Sequence, residues 1–255
     1  TVEDGRVTKL VVYECRKLTA LPATIGELDA LTKLRLYGCE SLTALPAAIG
    51  ELKALTTLEL QNCSSLVSLP GAIGKLSALT KLNLDGCSSL VALPATIGGL
   101  SALKDLNLGA CSNLVSLPDT IGGLSALTDL NLGACSKLVS LPAAIGGLKQ
   151  LTNILLYDCL SLTALPESIV GLDMAFIWLM NCPKLTFPPP HMHGRGDLDR
   201  IKRLMANTTR LLAGEISAAD ADDETKTGFL EGVIATASYA NRLEQAVRKD
   251  PALAN

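Results

Sequence analysis

Eight cysteines and two histidines are the side chains of greatest chemical reach in this sequence. Cys15, Cys39, Cys63, Cys87, Cys111, Cys135 and Cys159 recur every 24 residues, and Cys182 follows after 23. Thiols can pair as disulfides or hold a metal, but no Cys-x₂-Cys pair is present. Side chains at equivalent places in stacked copies point the same way, so their Cβ atoms lie near the ~4.8 Å strand spacing rather than the ~3.8 Å a disulfide prefers. A ladder of buried, reduced thiols is the expectation. His191 and His193 stand in Pro188-Pro189-Pro190-His191-Met192-His193-Gly194 with no adjacent carboxylate or thiol, a poor metal site. The repeats contain no histidine, which excludes a histidine-dependent triad there.

No phosphate-binding or dinucleotide fingerprint occurs either. Glycine pairs such as Gly98-Gly99 and Gly122-Gly123 belong to the 24-residue pattern and read as turn residues. Arg195-Gly196-Asp197 imitates an adhesion tripeptide, and Asn62-Cys63-Ser64 and Asn207-Thr208-Thr209 fit the glycosylation rule. In a chain without extracellular signs, coincidence explains these better. The reading is therefore non-catalytic, with no metal and no cofactor.

The elements that carry these residues follow from the period, since a repeat of 20 to 29 residues means a solenoid. One copy runs Leu31, Leu34, Leu36, Cys39, Leu42, Leu45, Ile49, Leu52, Leu55, and its single interval of two marks the strand. The rest is a coil that delivers an apolar residue about every third position. No copy covers its own apolar face, so stacking must bury nine side chains per copy in one column. Pro46 and Gly50, repeated from Pro22 and Gly26 to Pro142 and Gly146, predict short or irregular turns opposite the strands.

The pattern LxxLxLxxC followed by LxxLPxxIGxL resembles the leucine-rich repeat family over residues 7–188, and its LPxxIG segment is similar to intracellular forms in plant immune receptors and signalling scaffolds. The resemblance implies an α/β fold: a curved solenoid with a parallel sheet on the concave side, and protein binding as its usual role. The chain departs from the commonest pattern in placing Cys where Asn usually forms a ladder, which bears on backbone hydrogen bonding at each turn.

Because Leu34 and Leu36 point inward, alternation sends Lys33, Arg35 and Tyr37, with Gly38 after them, to the concave face. The same offsets give Lys9, Val11, Tyr13 and Glu14; Thr57, Glu59, Gln61 and Asn62; Lys81, Asn83, Asp85 and Gly86. Next come Asp105, Asn107, Gly109 and Ala110, then Asp129, Asn131, Gly133 and Ala134. The face ends with Asn153, Leu155, Tyr157 and Asp158, then Phe176, Trp178, Met180 and Asn181. Five of the eight aromatics fall on these columns and none on the inward ones, so folding did not require them there. Tyr13, Lys33, Arg35, Tyr37, Glu59, Asp85, Asp105, Asp129, Tyr157, Phe176 and Trp178 are the candidate partner-binding residues. The C-terminal patch of Leu155, Phe176, Trp178 and Met180 has a second reading, a surface capped by the tail. A threonine file, Thr8, Thr32, Thr56, Thr80, Thr128 and Thr152, suggests an ice-binding array, but strand propensity explains it more simply.

After Cys182 the period fails. Residues 189–196 read as a Pro/Gly/His-rich linker and 197–255 as a helical tail or cap, with stripes from Leu198 to Leu212 and from Phe229 to Val247. Residues 247–255, VRKDPALAN, resemble the helix-to-loop stretch of an ankyrin repeat, which implies a further repeat domain. The tail helices could instead dock a partner. Net charge is −3, with 13 basic and 15 acidic residues through Phe187 and 9 and 10 beyond, which disfavours nucleic acid. The longest uncharged stretch, residues 86–103, is interrupted by a proline and three glycines and is no membrane span. Thr1 follows no charged-then-apolar leader, the start of a processed product or a fragment. The expectation is an intracellular, cytoplasmic interaction or scaffold module, with a regulatory fragment of a signalling enzyme or a structural subunit of an assembly as alternatives.

Overall fold

A computed structural model describes residues 1–173 and 176–185, together with Arg203, Asn207 and Arg210, which are helical. Eight parallel strands stack in sequence order: β3 (Lys9–Tyr13), β4 (Lys33–Tyr37), β5 (Thr57–Glu59), β6 (Lys81–Asn83), β7 (Asp105–Asn107), β8 (Asp129–Asn131), β9 (Asn153–Leu155) and β10 (Phe176–Trp178). Residues 24 apart pair throughout, as in Leu34↔Leu58, until β10 pairs Ile177 with Ile154 at a spacing of 23. The period of the sequence is thus the register of the sheet.

Each strand from β3 to β9 is followed by a coil and then a five-residue 3₁₀ turn such as Ala47–Glu51 or Ala95–Gly99, with proline immediately before it. Pro46 has φ −68°, and its carbonyl accepts the Ile49 N–H, so the ring sets the entry angle and its missing donor costs nothing. The following glycine is needed for space. A Cβ on Gly50 would lie 2.5 Å from the Ala72 carbonyl oxygen of the next turn. These are the short turns the repeated prolines predict.

All nine inward positions of the copy from Leu31 to Leu55 are at most 5% exposed. The first copy is less covered: Leu10, Val12, Cys15 and Leu18 are partly buried, as expected where one neighbour is missing. The sequence pattern did not anticipate what shields that end. β1 (Val2–Glu3) and β2 (Arg6–Val7) form an antiparallel hairpin through Asp4 and Gly5, both at positive φ, the geometry of a tight primed turn. The Thr1 carbonyl accepts the Thr8 N–H, and Val7 packs on the core.

One position departs from the alternation. Glu14, Gly38, Asn62, Gly86, Ala110, Ala134, Asp158 and Asn181 all have φ between 48° and 73°, so the chain bends there in the left-handed region. They are where each strand leaves the sheet, and the map of the face is correctly drawn with three residues per copy. The linker, the two histidines, the ankyrin-like end and the tail helices apart from Arg203, Asn207 and Arg210 lie outside the described residues.

Candidate functional site

The open side of the sheet is a grid of three columns across eight strands. Three ladders beneath and beside it hold the grid in register. Cys63 Sγ donates to the Leu36 carbonyl at 3.1 Å, Cys87 to Leu60 at 3.2 Å and Cys111 to Leu84 at 3.3 Å, and the series continues to Cys182 and Leu156 at 2.9 Å. Each thiol thereby bonds the carbonyl at the end of the preceding strand, which is how cysteine serves at this turn. All eight are free thiols, the last seven buried. Burial pushes Cys63 up to about 11 and Cys87 and Cys135 up to about 12, and it drives Cys111 higher still. A hydrogen bond shared with Cys182 raises Cys159 and lowers Cys182. Thiols raised in this way are poor nucleophiles.

The threonine file forms the second ladder. Thr32, Thr56 and Thr80 each donate both backbone N–H and Oγ1 to the carbonyl one turn earlier, with Oγ1 at 3.0 Å. Those hydroxyl protons are committed internally, which weakens an array presented to water or ice. Asparagines make the third, on the open face. Asn83, Asn107 and Asn131 each accept, through Oδ1, the N–H two residues ahead, and Asn131 Nδ2 donates to Asn107 Oδ1 at 3.0 Å.

The N-terminal third of the face carries Tyr13 and Tyr37, 68% and 40% exposed, with ring centroids 6.3 Å apart. Beside them Arg35 Nε lies 2.7 Å from the Glu59 carboxylate, an ion pair rather than an aligned hydrogen bond. Arg35 and Glu59, read from the sequence as two separate partner contacts, therefore hold each other, leaving Lys33 exposed nearby. Lys81 pairs in the same way with Asp105 at 2.9 Å. Both pairs join residues 24 apart, so the period alone could have found them.

At the other end, the rings of Tyr157 and Trp178 stand 5.2 Å apart and those of Phe176 and Trp178 6.5 Å, forming one aromatic cluster. Between the two ends the face is polar. Asp129 accepts from Thr128 Oγ1 and Asn153 Nδ2 at 2.7 Å each. A depression of about 400 Å³ runs over β7–β10, lined by Asp105, Asn107, Asp129, Asn131, Leu155 and Phe176 among others. Asp85 is partly buried, and desolvation raises its carboxyl above the usual carboxylate range. The structure thus places Asp105, Asp129 and Phe176 around one depression and Tyr157, Phe176 and Trp178 in one aromatic cluster, with Asp85, just past β6, outside both, and it pairs Tyr13 with Tyr37 and Arg35 with Glu59 at the other end.

One exposed feature lies off this face. Val67, Val91, Val115 and Val139, 43 to 50% exposed, stack in a column where the coil descends from the sheet, joined by N–H to carbonyl bonds such as Val91 to Val67 at 3.3 Å. The repeated valine after Leu66, Leu90, Leu114 and Leu138 was its signal in the sequence. Among the described residues no group of acids, thiols or imidazoles could hold a metal ion, and no helix is long and apolar enough to cross a membrane.

A stack of 24-residue coils, each contributing one strand to a parallel sheet and one 3₁₀ turn opposite, is a leucine-rich-repeat solenoid. This class serves in general as a non-enzymatic scaffold that binds other proteins. Residues 6–131 match the family model described as a leucine-rich repeat region. The chain is similar to the leucine-rich repeat domain of the type III effector XopL, with 28% identity, 73% of this chain and 70% of that one covered, and a TM-score of 0.50. A leucine-rich repeat protein of Leptospira interrogans matches at 26% identity and TM-score 0.40, and a plant ice-binding protein at 21% and 0.40, a likeness of fold alone. These cover 67% and 69% of this chain, which spans 57% of the Leptospira chain and 72% of the plant one. No curated protein matches the sequence.

Proposed function

We propose that this chain binds a protein partner along the concave face, engaging the Tyr13 and Tyr37 end and the Tyr157, Phe176 and Trp178 end, and that it performs no catalysis of its own. The observation that carries the reading is the placement of the aromatics. The core is built from leucine, isoleucine and cysteine, while rings gather in two clusters on the open sheet. Aromatic side chains bury large areas with few rotors and are enriched where binding energy concentrates. The amide and carboxylate grid between the clusters offers hydrogen bonds to an extended backbone. The resemblance of the LPxxIG segment to intracellular immune and signalling repeats supports a signalling scaffold in the cytoplasm. A photo-crosslinking residue at Tyr37 or at Tyr157 should capture the same protein from native extract, and one at Asp119, on the turn side, should not. Capture at Asp119 with none at either tyrosine would overturn the assignment.

A further inference from the structure

The third column of the face reads Tyr13, Tyr37, Gln61, Asp85, Gly109, Gly133, Tyr157, Met180. A side chain stands on every strand except two neighbours. Neither Gly109 nor Gly133 has a positive φ, so the backbone does not call for glycine at either place. Space does. A Cβ on Gly133 would collide with the ring of Tyr157, and one on Gly109 would collide with Oδ1 of Asp85. The two glycines let a carboxylate from one side and an aromatic ring from the other lean toward each other over bare backbone. Trp178 packs against that ring at 5.2 Å between centroids, tilted by 48°.

Asp85 has no hydrogen-bond or ion-pair partner for its carboxylate among the described residues, although the other acids of this part of the face are engaged, Asp105 by Lys81 and Asp129 by Thr128 and Asn153. From β6 to β10 the face carries three carboxylates against one lysine. A negative, partly dehydrated group beside an aromatic face repels anions and leaves a neutral apolar group against an unpaired charge. A flat cation satisfies both, because guanidinium stacks on a ring and donates to a carboxylate at once.

We infer that Gly109 and Gly133 open a receptor for the guanidinium of an arginine carried by a bound extended segment, with Asp85 as counter-ion and the Tyr157 ring as stacking face. This rests on the concave-face reading and names the chemistry of its partner. Partial burial, which raises the Asp85 carboxyl, fits a charge held ready for a counter-ion. The depression over β7–β10 lies alongside and accommodates the neighbouring residues of the segment.

The test is a titration of the full ¹⁵N-labelled chain with acetyl-Gly-Gly-Arg-Gly-Gly-amide, following the Gly109 and Gly133 amides, against the same peptide carrying citrulline or glutamate. The arginine peptide should shift both amides saturably, with the citrulline peptide about tenfold weaker and the glutamate peptide silent. Asp85→Asn should weaken arginine binding about tenfold, Tyr157→Leu severalfold, and Asp119→Ala not at all. Circular dichroism confirms the fold of each variant, and should one unfold, the other decides. Equal binding of citrulline and arginine, or no shift at either glycine, overturns the proposal. If the peptide fails while crosslinks from Tyr37 and Tyr157 still form, only the guanidinium is wrong; if both fail, the concave-face reading falls with it.

Discussion

The thiol column should make this protein steeply sensitive to alkali. An unfolded cysteine loses its proton near 9.0, whereas the folded chain holds Cys63 to about 11 and Cys87 and Cys135 to about 12, with Cys111 above them. Between those values the native state keeps protons that the unfolded state has released, so stability falls as pH rises. The contribution is fully present below pH 9.0 and is lost upward from there through the folded values. Each such thiol contributes a slope of about 1.4 kcal/mol per pH unit once its unfolded form is ionised. The four together give about 5 to 6 kcal/mol per unit, as large as the whole stability of a small domain, commonly about 5 to 15 kcal/mol. Denaturant unfolding under a phosphine reductant, followed by far-ultraviolet circular dichroism from pH 7 to 10.5, reads this directly. Cys87→Ala should be less stable at pH 7, having lost the donor to Leu60, yet its slope above pH 9 should be shallower by about 1 kcal/mol per unit. What the two proteins share cancels in the difference. Equal slopes for wild type and Cys87→Ala would refute the claim that burial holds the ladder protonated.

Gly50→Ala should destabilise the chain by about 1 to 3 kcal/mol, because its Cβ would push on the Ala72 carbonyl of the next turn; thermal melting checks this. Ala110→Gly should act in the opposite direction, since Ala110 is exposed and sits at φ 52°; relief of the left-handed strain outweighs the added chain entropy, for a net gain of about 0.5 kcal/mol in denaturant titration. Thr80→Val keeps shape and strand propensity while removing the hydroxyl bond to Thr56, so a loss of about 1 kcal/mol would assign the file to backbone support, and no loss would return it to propensity alone.

The core was legible because a strict period makes one copy stand for all. The interval of two at Leu34 and Leu36 gave the strand, and the proline and glycine of each copy gave the short turns. What alternation missed were features that depend on contact between copies. The Arg35–Glu59 and Lys81–Asp105 pairs are invisible when each copy is read alone, though they follow once residues 24 apart are set side by side. The left-handed bend at Gly38, Asn62 and Gly86 was written in residue types that tolerate positive φ, but Ala110 and Ala134 obscured it. Asp4-Gly5 was a hairpin signal outside the repeat.

The same contrast bears on where function resides. Every ladder of the solenoid, thiol, threonine or asparagine, satisfies the carbonyl or N–H of a neighbouring position and so belongs to folding. A side chain in these repeats gains no stability from standing on the open sheet unless it finds such a partner. Arg35 and Lys81 found one; the Asp85 carboxylate, at a place where neighbouring strands give up their side chains, found none among the described residues. The two glycines beside it make the point sharper, because each forgoes a Cβ that strand geometry would accept so that Asp85 and Tyr157 can lean inward. In a molecule whose repeats are otherwise interchangeable, a carboxylate without a partner among the described residues and two glycines without a backbone reason are the observations on which the arginine receptor we infer rests.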